Sequence, residues 1–137
     1  MNYREIKNKS KLYAFVIKKD FTKHGLSFFT PDNFPLQLGF WDYNNGKVLK
    51  SHIHIENQRL VKKTQELIYI LSGKVKISLY EDNGELIESF IAEQGDTVFH
   101  AEGGHGYEIL ENGTRVIEIK NGPFTGVESD KKIIEPK

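Results

Sequence analysis

The sequence predicts an all-β chain of antiparallel strands arranged as a sandwich or barrel. Apolar and polar side chains alternate with period two, as in Lys74–Tyr80, where Val75, Ile77 and Leu79 interleave with Lys76, Ser78 and Tyr80. Turn-forming pairs such as Asn45-Gly46, Ser72-Gly73, Asn83-Gly84 and Asn112-Gly113 recur between the alternating stretches. No segment carries the period of an amphipathic helix.

Taken in order, Leu12–Lys18 is rich in aromatic and β-branched residues and reads as the first strand, after a polar leading segment. Phe21–Pro35 contains Gly25, Pro31, Pro35 and several phenylalanines, which predicts an irregular stretch that still packs its rings. Leu36–Tyr43 and Lys47–Ile55 are expected to pair across Asn44-Asn45-Gly46, because Asn-Gly supplies the positive φ of a tight hairpin. A second pair, Gln65–Leu71 and Lys74–Tyr80, turns at Ser72-Gly73. Leu86–Ala92, Thr97–His100, Gly106–Leu110 and Arg115–Lys120 follow as short strands. The tail from Asn121 loses this periodicity and is expected to be loosely held.

A chain of 137 residues is expected to form one domain, 1–137, with its barrel over about 12–120. Nineteen basic and nineteen acidic residues leave no net charge, which argues against nucleic acid or an anionic membrane as partner. With no cysteine, disulfides, thiolate ligands and thiol nucleophiles are excluded, and a reducing cytoplasmic location is the expectation.

The histidines carry the chemical signal. In an extended strand alternate side chains share a face, so His52 and His54 point the same way and their imidazoles converge. Imidazole and carboxylate are ligands for a divalent zinc, iron, nickel or manganese ion, and Glu66 sits on a second strand that can lie beside the first. Glu66 also shares its face with Ile68 and Ile70, where a carboxylate needs a cation or strong hydrogen bonds to offset desolvation. The alternative is a solvent-facing histidine pair on an edge strand.

The run from Gly46 through His52 and His54 to Glu66 and Gly73 resembles the first motif of the cupin family, with the eleven residues Ile55–Gln65 read as a longer hairpin loop. Gly95-Asp96 through Gly103-Gly104-His105 resembles the family's second motif, with Ala101 where proline is expected. The resemblance implies a small antiparallel jelly-roll barrel with a metal site inside it. The implied ligands are His52, His54, Glu66 and His105, with His100 as the alternative to His105. It also implies a homodimer, for which the Leu67, Tyr69 and Leu71 face is available unless it lies beneath the N-terminal strand.

Tyr107 shares the face of His105 and can donate its hydroxyl or act as an acid, or else fill the barrel mouth. Glu118, if it looks inward, is a candidate acid or base; otherwise it is solvated or pairs with Lys120. Arg59 and Lys62 in the loop, with His100, are candidate substrate contacts, the two cations as clamps for a carboxylate or phosphate. His24 reads as a loop residue. By its resemblance to single-domain cupins related to phosphomannose isomerase and to surface-polysaccharide synthesis, the chain is expected to be a metal-dependent sugar isomerase or epimerase acting on a sugar or nucleotide-linked sugar. The alternatives are an iron-dependent dioxygenase and a non-catalytic sugar- or acid-binding cupin.

Overall fold

The computed structural model describes residues 2–137. Ten strands form: β1 Tyr3–Asn8, β2 Lys11–Ile17, β3 Gly25–Phe28, β4 Gly39–Asp42, β5 Glu66–Ser72, β6 Lys74–Tyr80, β7 Leu86–Glu93, β8 Thr97–His100, β9 Gly104–Ile109 and β10 Arg115–Lys120, followed by one helical turn, α1 Val127–Asp130. All strand pairs are antiparallel. They make a five-stranded sheet in the order β1-β2-β8-β5-β10, a three-stranded sheet β7-β6-β9 and a two-stranded ribbon β3-β4.

The five-stranded sheet is buried on both faces along its centre. Its inner face sends Ala14 and Val16 of β2, Ile68 and Ile70 of β5 and Val98 of β8 against Val75, Ile77 and Leu79 of β6. Its outer face sends Phe15, Ile17 and Phe99 against Phe21, Phe29, Phe34 and Leu36 of the chain between β2 and β4. This is why Tyr13–Ile17 form an unbroken buried run in a strand that would otherwise alternate. Aromatic geometry ties the outer layer, with Phe15 and Phe99 edge-on at 5.7 Å and Phe34 stacked on Phe99 at 6.2 Å. The irregular aromatic segment therefore acts as a cover for the sheet.

Asp96, 1 % exposed, organises the turn from β7 to β8. Its carboxylate takes the Lys18 ammonium and accepts from the backbone amides of Lys19 at 3.1 Å and Glu93 at 2.9 Å. Gly95 before it holds a φ of +89°, so the Gly-Asp pair is accounted for by turn geometry.

The expected jelly-roll barrel does not form. The sheets are open, and β10 ends its sheet with one edge unpaired, as β9 does in the other. The physical reason lies in the segment between β4 and β5. Asn44-Asn45-Gly46 turns as expected, with Gly46 at φ +89° and the Lys47 amide 3.3 Å from the Asn44 carbonyl. β4 pairs with β3, register Leu26 with Trp41, and its other edge stays open, so Lys47–Ile55 pairs with nothing and forms no strand. It runs exposed instead, with Ile53 at 91 % and Ile55 at 88 %. Two strands appear that alternation did not signal: β1 in the polar leader, where only Ile6 is buried, and β3 inside the irregular segment. Among the described residues no helix is long and apolar enough to cross a membrane.

Gly103, just before β9, tests how tightly this frame is set. Its φ is +70°, and an added Cβ would lie 2.5 Å from both the Tyr13 ring and the Tyr80 carbonyl oxygen. Gly103→Ala is expected to cost at least about 2 kcal/mol, because neither a buried ring nor a strand backbone yields readily. Urea unfolding measures this; a change under about 0.5 kcal/mol would show that the turn is soft.

Candidate functional site

Toward the free edges of β10 and β9 polar residues replace the apolar core between the two larger sheets. Glu66 lies on β5 between His100 of β8 and Lys120 of β10, its direct cross-strand partners. Glu118 is paired with Ile68 on the same face, one step along β10. From the facing sheet, His105 and Tyr107 of β9 pair with Leu79 and Ile77 of β6, whose side chains are buried in the inner core. Period-two alternation thus brings residues from four strands to one place. They line a pocket of about 810 Å³, whose remaining wall comes from Lys63 and Thr64 before β5, Tyr80 and Asp82 at the end of β6, the loop before β9, and the end of α1 with the chain that follows it.

Hydrogen bonds fix the protonation pattern. The Tyr107 hydroxyl donates to Glu66 Oε1 at 2.6 Å and lies 2.9 Å from His100 Nε2. A phenol has one proton, and the ionised Glu66 takes it, so His100 must carry its own proton on Nε2 and donate to the Tyr107 oxygen. His100 Nδ1 is then a bare lone pair, buried and without a partner in the protein. The His105 ring stacks on His100 at 4.1 Å, and its Nε2 stands 3.4 Å from Glu66 Oε1. Although 42 % of Tyr107 is accessible, its hydroxyl end is held among these groups.

The electrostatics of the two carboxyls diverge. Burial opposes ionisation of Glu66, but hydrogen bonds from His105 and Tyr107 and the pull of His105 outweigh it and hold this group down to about 2. Glu118 moves the other way: burial, the charge of Glu66 and a hydrogen bond with Glu66 raise it, against a smaller opposing pull from Lys120 and Lys131. Of the two carboxyls, Glu118 is therefore the one whose surroundings favour the protonated form. His100 is driven down to about 3, chiefly by burial and further by His105, so it is neutral. Burial and the charge and hydrogen bond of Glu66 raise the Tyr107 phenol, which keeps its proton.

The metal expectation is overturned by this arrangement. Among the described residues no group of three or more His, Cys, Asp or Glu side chains is placed to hold a metal ion. His52 and His54 are 5.1 Å apart ring to ring in the exposed segment and do not line the pocket, so they cannot join Glu66 and His105 as ligands. Glu66 Oε1 is already engaged by Tyr107 and His105. Zinc, iron, nickel and manganese are therefore withdrawn as cofactors. Arg59 and Lys62 are exposed on the same segment and also stay outside the pocket. The lysines that do line it are Lys63, Lys120, Lys131 and Lys132. Two of these come from the tail, which sequence periodicity did not connect with the site. His24 packs edge-on against Tyr43 at 6.0 Å, away from the pocket.

No protein-family model matches the chain, and neither a curated protein nor a solved structure is significantly similar to it. With open sheets, no metal-holding cluster and no family match, the cupin resemblance is set aside. The sugar isomerase or epimerase, the iron dioxygenase and the sugar-binding cupin rested on it and go with it.

Proposed function

We propose that the pocket between β5, β8, β9 and β10 is a proton-transfer site for a small polar molecule, with Glu118 as the group that exchanges the proton. The observation that carries this reading is the carboxyl pair Glu66 and Glu118, which line one open pocket from neighbouring strands beside Tyr107 and His100 and are driven in opposite directions by their surroundings. Pairs of titratable groups whose surroundings drive them apart are how one site holds an acid and a base together. Glu118, its acid form favoured beside Glu66, can hand a proton to a substrate oxygen and recover one from an acidified C–H or O–H. Glu66 keeps that proton in place from its ionised side and anchors the Tyr107 hydroxyl. Neutral His100, donating to the Tyr107 oxygen, keeps the phenolic proton directed at Glu66.

The reading needs no particular net reaction, so it is tested by exchange. The protein is incubated in deuterated water with a panel of small ketones and 2-oxo acids, and deuterium entry next to the carbonyl is followed by NMR. Entry above the buffer rate for at least one compound is the expected result. Buffer-rate exchange throughout, with a folded protein, would overturn the reading.

A further inference from the structure

The charges around the pocket are unequally satisfied. Lys63 pairs with Glu102, and Lys120 pairs with Asp130 at 3.0 Å. Asp82, also on the wall, has Lys11 at 3.9 Å. Among the described residues Lys131 and Lys132 have no carboxylate within 4.0 Å, although both line the pocket. Lys131 and Lys132 are thus the two lysines of the wall that no ion pair engages among the described residues.

Packing places these lysines. Asp130, at the end of α1, binds Lys120 and lies 3.4 Å from the Thr64 hydroxyl, which ties the turn to β10 and to the approach to β5. The Lys131 amide closes α1 on the Val127 carbonyl at 3.1 Å. Farther on, the Lys137 amide donates to the Gly84 carbonyl at 3.0 Å. Ile134 lies so close over Gly104 that an added Cβ there would be 2.6 Å from Ile134 Cδ1. Residues 131–137 therefore form a strap pinned at both ends, crossing the pocket directly above the start of the strand that carries His105 and Tyr107. Two ammonium groups without a carboxylate partner at the rim of a concave site can take up an anion and hold it by charge-assisted hydrogen bonds.

We propose that Lys131 and Lys132 form an anion subsite, so that the molecule entering this pocket is a small organic anion bearing a carboxylate or phosphate group at the strap end. This rests on the proton-transfer reading for the opposite end of the pocket, where the reacting part of the molecule meets Glu118. Anchoring the anion at the strap holds the remainder of the ligand against the carboxyl pair, which is the positioning that proton transfer requires.

The test is an NMR titration of nitrogen-15-labelled protein with inorganic phosphate and, separately, with acetate. The expected result is saturable shift changes at the amides of residues 131–134 and 104–107. A Lys131→Gln/Lys132→Gln variant should bind about tenfold more weakly or worse, as loss of charge-assisted contacts implies. Response to phosphate alone identifies a phosphate subsite, and response to acetate as well identifies a general carboxylate and phosphate subsite; either supports the proposal. Non-saturating shifts, shifts elsewhere on the surface, or equal affinity in the variant would overturn it. Deuterium entry into a neutral ketone, measured on the unaltered protein, separates the two readings. Exchange without anion binding overturns the subsite alone, and anion binding without exchange overturns proton transfer alone.

Discussion

Glu118→Gln is expected to slow deuterium entry into a responsive ketone or 2-oxo acid by about 10²–10⁴-fold, the range that a positioned acid or base contributes. The substitution keeps the shape of the side chain, and its amide can still donate to Glu66, so the fold and the pocket remain. Only the exchangeable proton is lost. Stability should stay within about 1 kcal/mol of the parent, because one hydrogen bond to Glu66 replaces another. Glu66→Gln is a sharper structural change: it removes the anion that accepts from Tyr107 and holds the Glu118 proton. Glu118 would then fall toward the ordinary carboxyl range, and exchange would shift its pH dependence to lower pH. Exchange unaffected by Glu118→Gln would place the chemistry elsewhere.

Acid should destabilise the fold through His100. Its folded value is about 3 against an ordinary 6.5, with burial as the largest cause. As pH falls below about 6.5 the unfolded chain takes up a proton that the folded protein refuses until about 3. The contribution of neutral His100 is thus complete above that window, is lost through it and is gone below it. The loss amounts to about 1.4 kcal/mol per pH unit for one proton. Glu66 adds a second loss as pH falls from 4.5 toward about 2, because its folded value is depressed. Urea unfolding across pH 4.5 to 7 isolates the histidine. His100→Gln should flatten the slope there, and an unchanged slope would show that His100 is protonated in the fold.

The strands that alternation signals, Lys74–Tyr80 above all, form where one face meets a core of Ile77, Leu79 and their neighbours. Period two also carries Glu66 to the face of Ile68 and Ile70, and His105 to the face of Tyr107. The Lys47–Ile55 stretch has an equally good strand pattern, yet a strand also needs a partner and a face to bury, and this stretch runs exposed with neither. Local sequence does not report whether such a partner is in reach. The same limit hides Lys131 and Lys132, whose approach to the pocket depends on contacts from Lys137 to Gly84 and from Ile134 to Gly104, far apart in the chain. The histidine spacing looked metal-binding because it was read on a strand that does not form.

Carbon-13 NMR titration of the Glu66 and Glu118 carboxyls tests the proton-transfer site most directly. The arrangement predicts one carboxyl of the pair ionised down to about 2, assigned to Glu66, and the other keeping its proton above the ordinary carboxylate range, assigned to Glu118. The Tyr107→Phe variant should raise the lower of the two, because Glu66 loses a donor. If both carboxyls titrate together near about 4.3, as free glutamates do, the pair shares no proton and the pocket is not a proton-transfer site.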